Sequence, residues 1–173
     1  MLPAESILYA LQRNWDMVDS ALEGLDEATM ARQPADQCNS AAWILWHMNR
    51  VVDNMIHTRL QSKRQLWVLD GWHQKFGMSD EESDFGMGWT ADQVAAWQAP
   101  SRDVLLGYYD AMKASAKDYL ASLSDAELDK SVMVGNESRG VSDLLGVLVY
   151  DNVVHGGQIA YLRGFYGGMG WHR

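Results

Sequence analysis

Cysteine is almost absent: Cys38 is the one thiol in 173 residues. No intramolecular disulfide can form, and a reducing, cytoplasmic setting is the expectation. Positive charge is also scarce. Fourteen Lys and Arg stand against 23 Asp and Glu, a formal net charge of −9, which argues against nucleic acid and anionic membrane surfaces as partners. No apolar stretch approaches the roughly 18 residues that a membrane span requires. The N-terminal MLPAESILYALQRNW has neither a basic region nor a continuous apolar core, so it does not read as a signal peptide. Internal repeats and low-complexity tracts are missing as well. What remains is a length that suits one domain, 1–173, with 47% apolar residues and with eight Trp and ten Met for wide packing surfaces.

Those apolar residues fall into helical spacings. Leu8, Leu11, Trp15, Val18, Leu22 and Leu25 recur three and four apart, the stripe of a first amphipathic helix. Ser40 is a candidate N-cap for a second helix running to about Leu66, with Ile44, His47 and Val51 on one face. The stretch from about Leu69 to Trp89 is polar and Gly-rich but carries Trp72, Phe76, Phe85 and Trp89, which favours a packed functional loop over a disordered one. Thr90 and Gln93 have the form of a capping box opening a short helix. A third long helix follows, with Val104, Tyr108, Met112, Tyr119 and Leu123 as its buried stripe. SVMVGNESRG reads as an extended turn. The fourth helix, from about Ser142 to Phe165, buries Leu144, Leu148, Asp151, His155, Gln158 and Leu162. The expected class is all-α: a four-helix bundle with a long loop between helices 2 and 3.

Two polar residues on that last face are the chief functional signal. Asp151 and His155 are four apart and point at the same volume. Burying either one unpartnered would cost roughly 2–7 kcal/mol for a neutral group and more for a charge. His47 offers a third donor from the middle of the second helix. Two imidazoles and a carboxylate suit Zn²⁺, Ni²⁺, Fe²⁺ or Mn²⁺ and leave positions open for a substrate. Without a metal the same residues would form a hydrogen-bonded Asp–His–His cluster. A ferritin-like di-iron centre is disfavoured, because the chain has no Glu-x-x-His pair.

The segments SAAWILWHMNRVVDN, the KFGM region and GVSDLLGVLVYDNVVHGGQIAYLRG, with the order and length of the helices, resemble the DinB-like superfamily, which includes the YfiT-like metal-dependent enzymes and bacterial thiol transferases. The most specific piece is HGGQIAYLRG, where the family has His-x-Gly-Gln followed by Leu-Arg. The resemblance implies a bundle with one metal held by three histidines, and His47 and His155 match two of them. Asp151 stands where the family has the third. A carboxylate still ligates divalent cations, and here it makes the site two neutral ligands and one anionic. The implied activity is thiol S-transfer or isomerisation with a low-molecular-weight thiol and a small-molecule substrate. The alternatives are a metal-dependent hydrolase or a non-catalytic stress or ligand-binding bundle.

Four further residues are weaker candidates for the pocket or its support: Asn54, Tyr108, Gln158 and Arg163, the last with a salt bridge as its simpler role. Gly156 and Gly157 point to close packing or ligand access. His57 and His172 read as surface residues, and His73 as a loop residue that could reach the site from a lid. The abundance of Trp and Met predicts exposed apolar surface and a homodimer. The open coordination side is expected to face a pocket between helices 2 and 4, partly roofed by the loop from Asp70 to Trp89.

Overall fold

Leu11, Trp15, Val18 and Leu22 line the buried side of α1 (Pro3–Leu22), as their spacing predicts. The computed structural model describes residues 3–172. A short α2 (Glu27–Ala31) follows, capped by the Asp26 carboxylate, which accepts from the Thr29 amide at 2.7 Å. Ser40 caps α3 (Ala41–Asp53), its hydroxyl accepting from the Trp43 amide at 3.2 Å. The helical path then widens into a π-helical turn, Asn54–Arg59. It stops short of Leu66. Ser62 takes a left-handed φ of 53°, and the Lys63 amide donates back to the His57 carbonyl at 2.8 Å.

Leu66 instead opens a new element, α4 (Leu66–Leu69), followed by α5 (Trp72–Lys75). The first two amides of α4 donate to the Asp53 carboxylate, at 3.0 Å from Leu66 and 2.8 Å from Trp67. The expected long loop is therefore partly helical, and Trp67 and Phe76 are buried within it. The Thr90–Gln93 capping box is present at the start of α6 (Ala91–Ala96). Ser101 caps α7 (Arg102–Ser122), whose buried stripe is Leu105, Tyr108, Tyr109, Met112, Ala116 and Leu120. Val104, Tyr119 and Leu123 sit at its half-buried rim rather than its centre. After α8 (Asp125–Leu128) the expected extended turn is a hairpin. Strand β1 (Ser131–Val134) pairs antiparallel with β2 (Glu137–Gly140), Ser131 opposite Gly140.

The last element, α9 (Val141–Gly167), packs on α1 and α3, and both of those also pack on α7. Its buried face is rotated from the expected one. Leu144, Leu148, Asn152, Gly156, Ile159 and Leu162 face the core, while Asp151 and His155 lie at the half-buried edge and Gln158 is exposed. The contact with α1 explains the rotation. Asn14 donates from Nδ2 to the Asn152 carbonyl at 2.9 Å, and the Trp15 indole donates to Asn152 Oδ1 at 3.3 Å. Both donors are buried and need these acceptors.

Gly156 is what lets α1 come that close. A Cβ there would stand 2.1 Å from Asn14 Oδ1, whereas a Cβ on Gly157 would meet nothing within 4 Å. Gly156→Ala should therefore destabilise the fold by about 1–3 kcal/mol through overpacking. Gly157→Ala should stabilise it by up to ~1 kcal/mol through helix propensity. Urea unfolding of the two variants would check the opposite signs.

Candidate metal centre

Asp151 and His155 project from successive turns of α9, and His47 meets them from α3. Asp151 Oδ2 lies 3.4 Å from His155 Nε2 and 3.9 Å from His47 Nε2. One donor atom from each of the three residues lies within 4.8 Å of the others. The two imidazoles meet edge to face, 4.8 Å between centroids. Ligands bonded to one ion at about 2.0–2.2 Å stand about 3–3.5 Å apart, so small side-chain rotations would close this cluster on an ion. Its side chains retain 11%, 18% and 19% exposure for His47, Asp151 and His155, so the cluster opens to solvent along the edge of α9.

Each histidine is held through the nitrogen that faces away from the cluster. His47 Nδ1 donates to the Phe85 carbonyl, and His155 Nδ1 donates to Gln158 Oε1 at 2.8 Å. Both bonds hold a proton on Nδ1 and turn the Nε2 atoms toward Asp151, the arrangement that prepares histidines as ligands once Nε2 is deprotonated. His47 also stacks on Trp43 with centroids 5.2 Å apart and planes 8° from parallel. Asp151 Oδ1 is buried without a hydrogen-bond partner. A carboxylate oxygen in that state is costly unless a cation satisfies it. The residues therefore fit a divalent ion.

The Phe85 carbonyl is placed by two features that carry no metal-binding signature. Gly86, at φ +84°, lets the loop lie against the indoles of Trp43 and Trp46; a Cβ there would come within 2.6 Å of Trp43. Arg50, one helical turn beyond His47 and fully buried, clamps the segment just before Phe85. Its guanidinium donates to the carbonyls of Glu81, Glu82 and Asp84 at 3.1, 3.2 and 3.1 Å, and to Gln65 Oε1 at 2.5 Å. Sequence reasoning missed both. A backbone carbonyl leaves no trace in composition, but an Arg among the buried positions of α3 was a visible signal.

Burial pushes the His47 pKa down, against the Phe85 hydrogen bond, and the neighbouring His155 adds to the depression. Burial acts on His155 in the same direction, but the bonds to Asp151 and Gln158 outweigh it and raise its pKa. His155 is thus the histidine that holds a second proton more readily, while His47 favours its neutral, ligating form.

The other sequence candidates divide. Gln158 supports His155 as described. Tyr108 is buried elsewhere, its hydroxyl donating to Asp53 Oδ2 at 2.7 Å, and burial with that carboxylate pushes its pKa well up. Asn54 begins the π-helical turn, seven residues beyond His47. Arg163 lies against Gly24 and Gly167 rather than the cluster, and its expected salt bridge is not among the ion pairs of the described residues. His57 is not a surface residue: it is 8% exposed and held by Asp53 and by Ser115 of α7. His73 Nδ1 donates to the Trp67 carbonyl at 3.0 Å, and His172 is exposed.

A cavity of about 430 Å³ lies between α3 and α9, lined by Ile44, Val154, Gly157, Gln158, Tyr161 and Leu162 among others. Its third wall is the segment carrying Pro34, Cys38 and Asn39, not the loop from Asp70 to Trp89. That loop packs behind His47 instead. Gln158 joins the cavity to the cluster, since it lines the one and bonds a histidine of the other.

The fold and cluster define a helical protein with a candidate His₂Asp metal centre. The profile of the DinB superfamily matches residues 10–159, and the chain belongs to that superfamily. The chain is also similar to a solved structure, the crystal structure of a conserved protein from Enterococcus faecalis. That likeness has a TM-score of 0.86 at 25% identity and covers 98% of this chain and 99% of the other. No curated protein matches the chain. No helix of the described residues is long and apolar enough to cross a membrane.

In metal-free protein near neutral pH, two-bond ¹H–¹⁵N correlation spectra should show His47 as the Nδ1–H tautomer. An Nε2–H pattern would mean that the Phe85 carbonyl does not set its orientation.

Proposed function

We propose that this chain is a metal-dependent thiol S-transferase or isomerase of the DinB superfamily, a four-helix bundle in one domain, cytoplasmic, acting on a small molecule with a low-molecular-weight thiol. The observation that carries the reading is the buried, unpartnered Asp151 Oδ1 beside two imidazoles that both present Nε2. In this proposal His47, Asp151 and His155 hold one Zn²⁺, Ni²⁺, Fe²⁺ or Mn²⁺. Such an ion would supply Lewis-acid chemistry, lowering the pKa of a thiol that reaches it.

The protein's own residues supply the rest. Phe85 and Gln158 fix the two imidazoles, so little reorganisation is needed when a ligand arrives. Asp151 adds one negative charge to the donor set, which favours a divalent cation over a neutral occupant. The mostly apolar cavity beside Gln158 is the seat for the electrophile, and Gln158 is the polar group on its wall nearest the reacting end. Tyr150, Val153, Tyr161 and Phe165 form exposed apolar surface on α9 beside that mouth, and they support a homodimer through this helix. Six exposed large apolar side chains lie on α9, and Tyr9, Leu69, Met87, Met133 and Met169 are exposed elsewhere; the tryptophans are buried or half-buried.

Calorimetry with chelator competition tests the site. Asp151→Ala, His47→Ala and His155→Ala should each weaken metal binding by ~100-fold or more, whereas Asp151→His should retain it. Equal affinity in wild type and Asp151→Ala would remove Asp151 from the ligand set. Turnover of bacterial thiols with halogenated aromatic electrophiles should require the metal and fail in His47→Ala and His155→Ala. Metal-dependent ester or amide hydrolysis in place of thiol transfer would make the protein a hydrolase. Light scattering should return about twice the 19.5 kDa chain mass at micromolar concentration; a monomer would leave the α9 face without this role.

A further inference from the structure

The motif of the candidate metal centre occurs twice. DNVVH at 151–155 has the same Asp-Asn-x-x-His form as DNMIH at 53–57. The second copy is built into different surroundings. Asp53 is fully buried and accepts the amides of Leu66 and Trp67 and the Tyr108 hydroxyl, with an Arg50 nitrogen 3.9 Å from Oδ2. Its Oδ1 lies 2.7 Å from His57 Nδ1. A carboxylate so held can only accept, which places the proton on Nδ1 and leaves Nε2 as a lone-pair acceptor. Ser115, on α7, has its hydroxyl oxygen 3.1 Å from that Nε2. Carboxylate, imidazole and serine hydroxyl thus form a continuous proton path with the geometry of a nucleophilic triad.

Two independent features accompany the path. His57 sits in the π-helical turn Asn54–Arg59, and such turns within helices occur frequently at functional sites. Ser115 and His57 also open onto a cavity of about 470 Å³, whose wall includes Gln61, Lys63, Asp118 and Tyr119. This cavity shares no lining residue with the one between α3 and α9. His57 follows His47 by ten residues, roughly 15 Å along a helix at about 1.5 Å per residue.

We propose that Ser115 is the nucleophile of a second, metal-independent acyl-transfer site whose substrates are small esters. The Ser115 oxygen bonds to the ester carbonyl carbon as its proton passes to His57 Nε2. The tetrahedral intermediate then expels the alcohol, which leaves with that proton. Water attacks the resulting acyl-serine, giving one proton to His57 and its hydroxyl to the acyl carbon. The Ser115 oxygen recovers the proton as the carboxylic acid departs. One ester and one water become one acid and one alcohol. Asp53 is a positioning residue that holds the His57 tautomer. Lys63, whose ammonium donates to Gln61 Oε1 at 2.8 Å, is the cation on the cavity wall that can meet charge developing on the carbonyl oxygen.

The test uses the full chain after chelator treatment, so that the metal centre contributes nothing. A fluorophosphonate should add once, and peptide mapping should place the adduct on Ser115. Ser115→Ala should lose the adduct and at least tenfold of the metal-independent cleavage of p-nitrophenyl acetate, with an unchanged thermal midpoint. His57→Gln should slow labelling at least tenfold. Because His57 is buried, Ser115→Cys provides a second measure: its thiol should react with iodoacetamide at least tenfold faster than Cys38 in the same molecule. An unmodified Ser115 in folded protein would overturn the proposal. So would labelling at wild-type rate in folded His57→Gln, or a Cys at 115 no faster than Cys38. The Asp53–His57–Ser115 path would then be a hydrogen-bonded strut between α3 and α7.

Discussion

A guanidinium fully removed from water has to be satisfied by the protein, and Arg50 imposes that demand on the whole region between α3 and α6. The chain meets it with backbone carbonyls from residues 81–84, with Gln65, and with the ring of Trp67, 4.3 Å beneath the guanidinium carbon. Asp53 supplies the compensating charge and at the same time caps α4. The polar, Gly-rich segment after α3 is therefore ordered from the inside. Its ordering fixes the Phe85 carbonyl against His47. The orientation of one candidate metal ligand thus depends on a buried ion pair one to two helical turns away.

The position of the cluster follows from packing rather than from its own chemistry. Asn152 and Gly156 take the contact of α9 with Asn14 of α1, which turns Asp151 and His155 to the rim. A buried site would have needed a channel. At the rim the three donors keep a path to solvent and stand next to the cavity between α3 and α9, with Gln158 touching both. Two neutral donors and one anion at an accessible edge suit an ion that must exchange ligands, and they suit a structural ion poorly.

Asp53–His57 and Asp151–His155 show how little an i,i+4 pair means until its surroundings are known. In the first, every oxygen of the carboxylate is taken by amides, a hydroxyl and the imidazole. In the second, one carboxylate oxygen has no partner and a further histidine approaches from α3. The same residue types at the same spacing favour a proton path in one place and a cation in the other. The difference lies in the neighbours: the α4 amides and Tyr108 against an open helix edge.

The long helices, the Ser40 cap, the Thr90–Gln93 capping box and the shared face of Asp151 and His155 were legible in the chain, because helical period and cap chemistry are local properties; the approach of His47 to that pair was an expectation strengthened by the family resemblance. The DinB resemblance could be read from HGGQIAYLRG and the segment around His47. Four things could not be read so. The end of the second helix was set by Ser62 in a left-handed conformation and by an Asp53 carboxylate that begins α4. The buried stripe of α9 was set by Asn14 and Trp15, 138 and 137 residues away along the chain in their bonds to Asn152. Burial of His57 depends on its bonds to Asp53 and to Ser115 on α7, a partner far along the chain. The Phe85 carbonyl belongs to a backbone whose path depends on Arg50 and Gly86. Sequence determined which residues could share a helix face. Tertiary packing decided which face was buried, since that choice depends on partners from distant segments competing for the same surface.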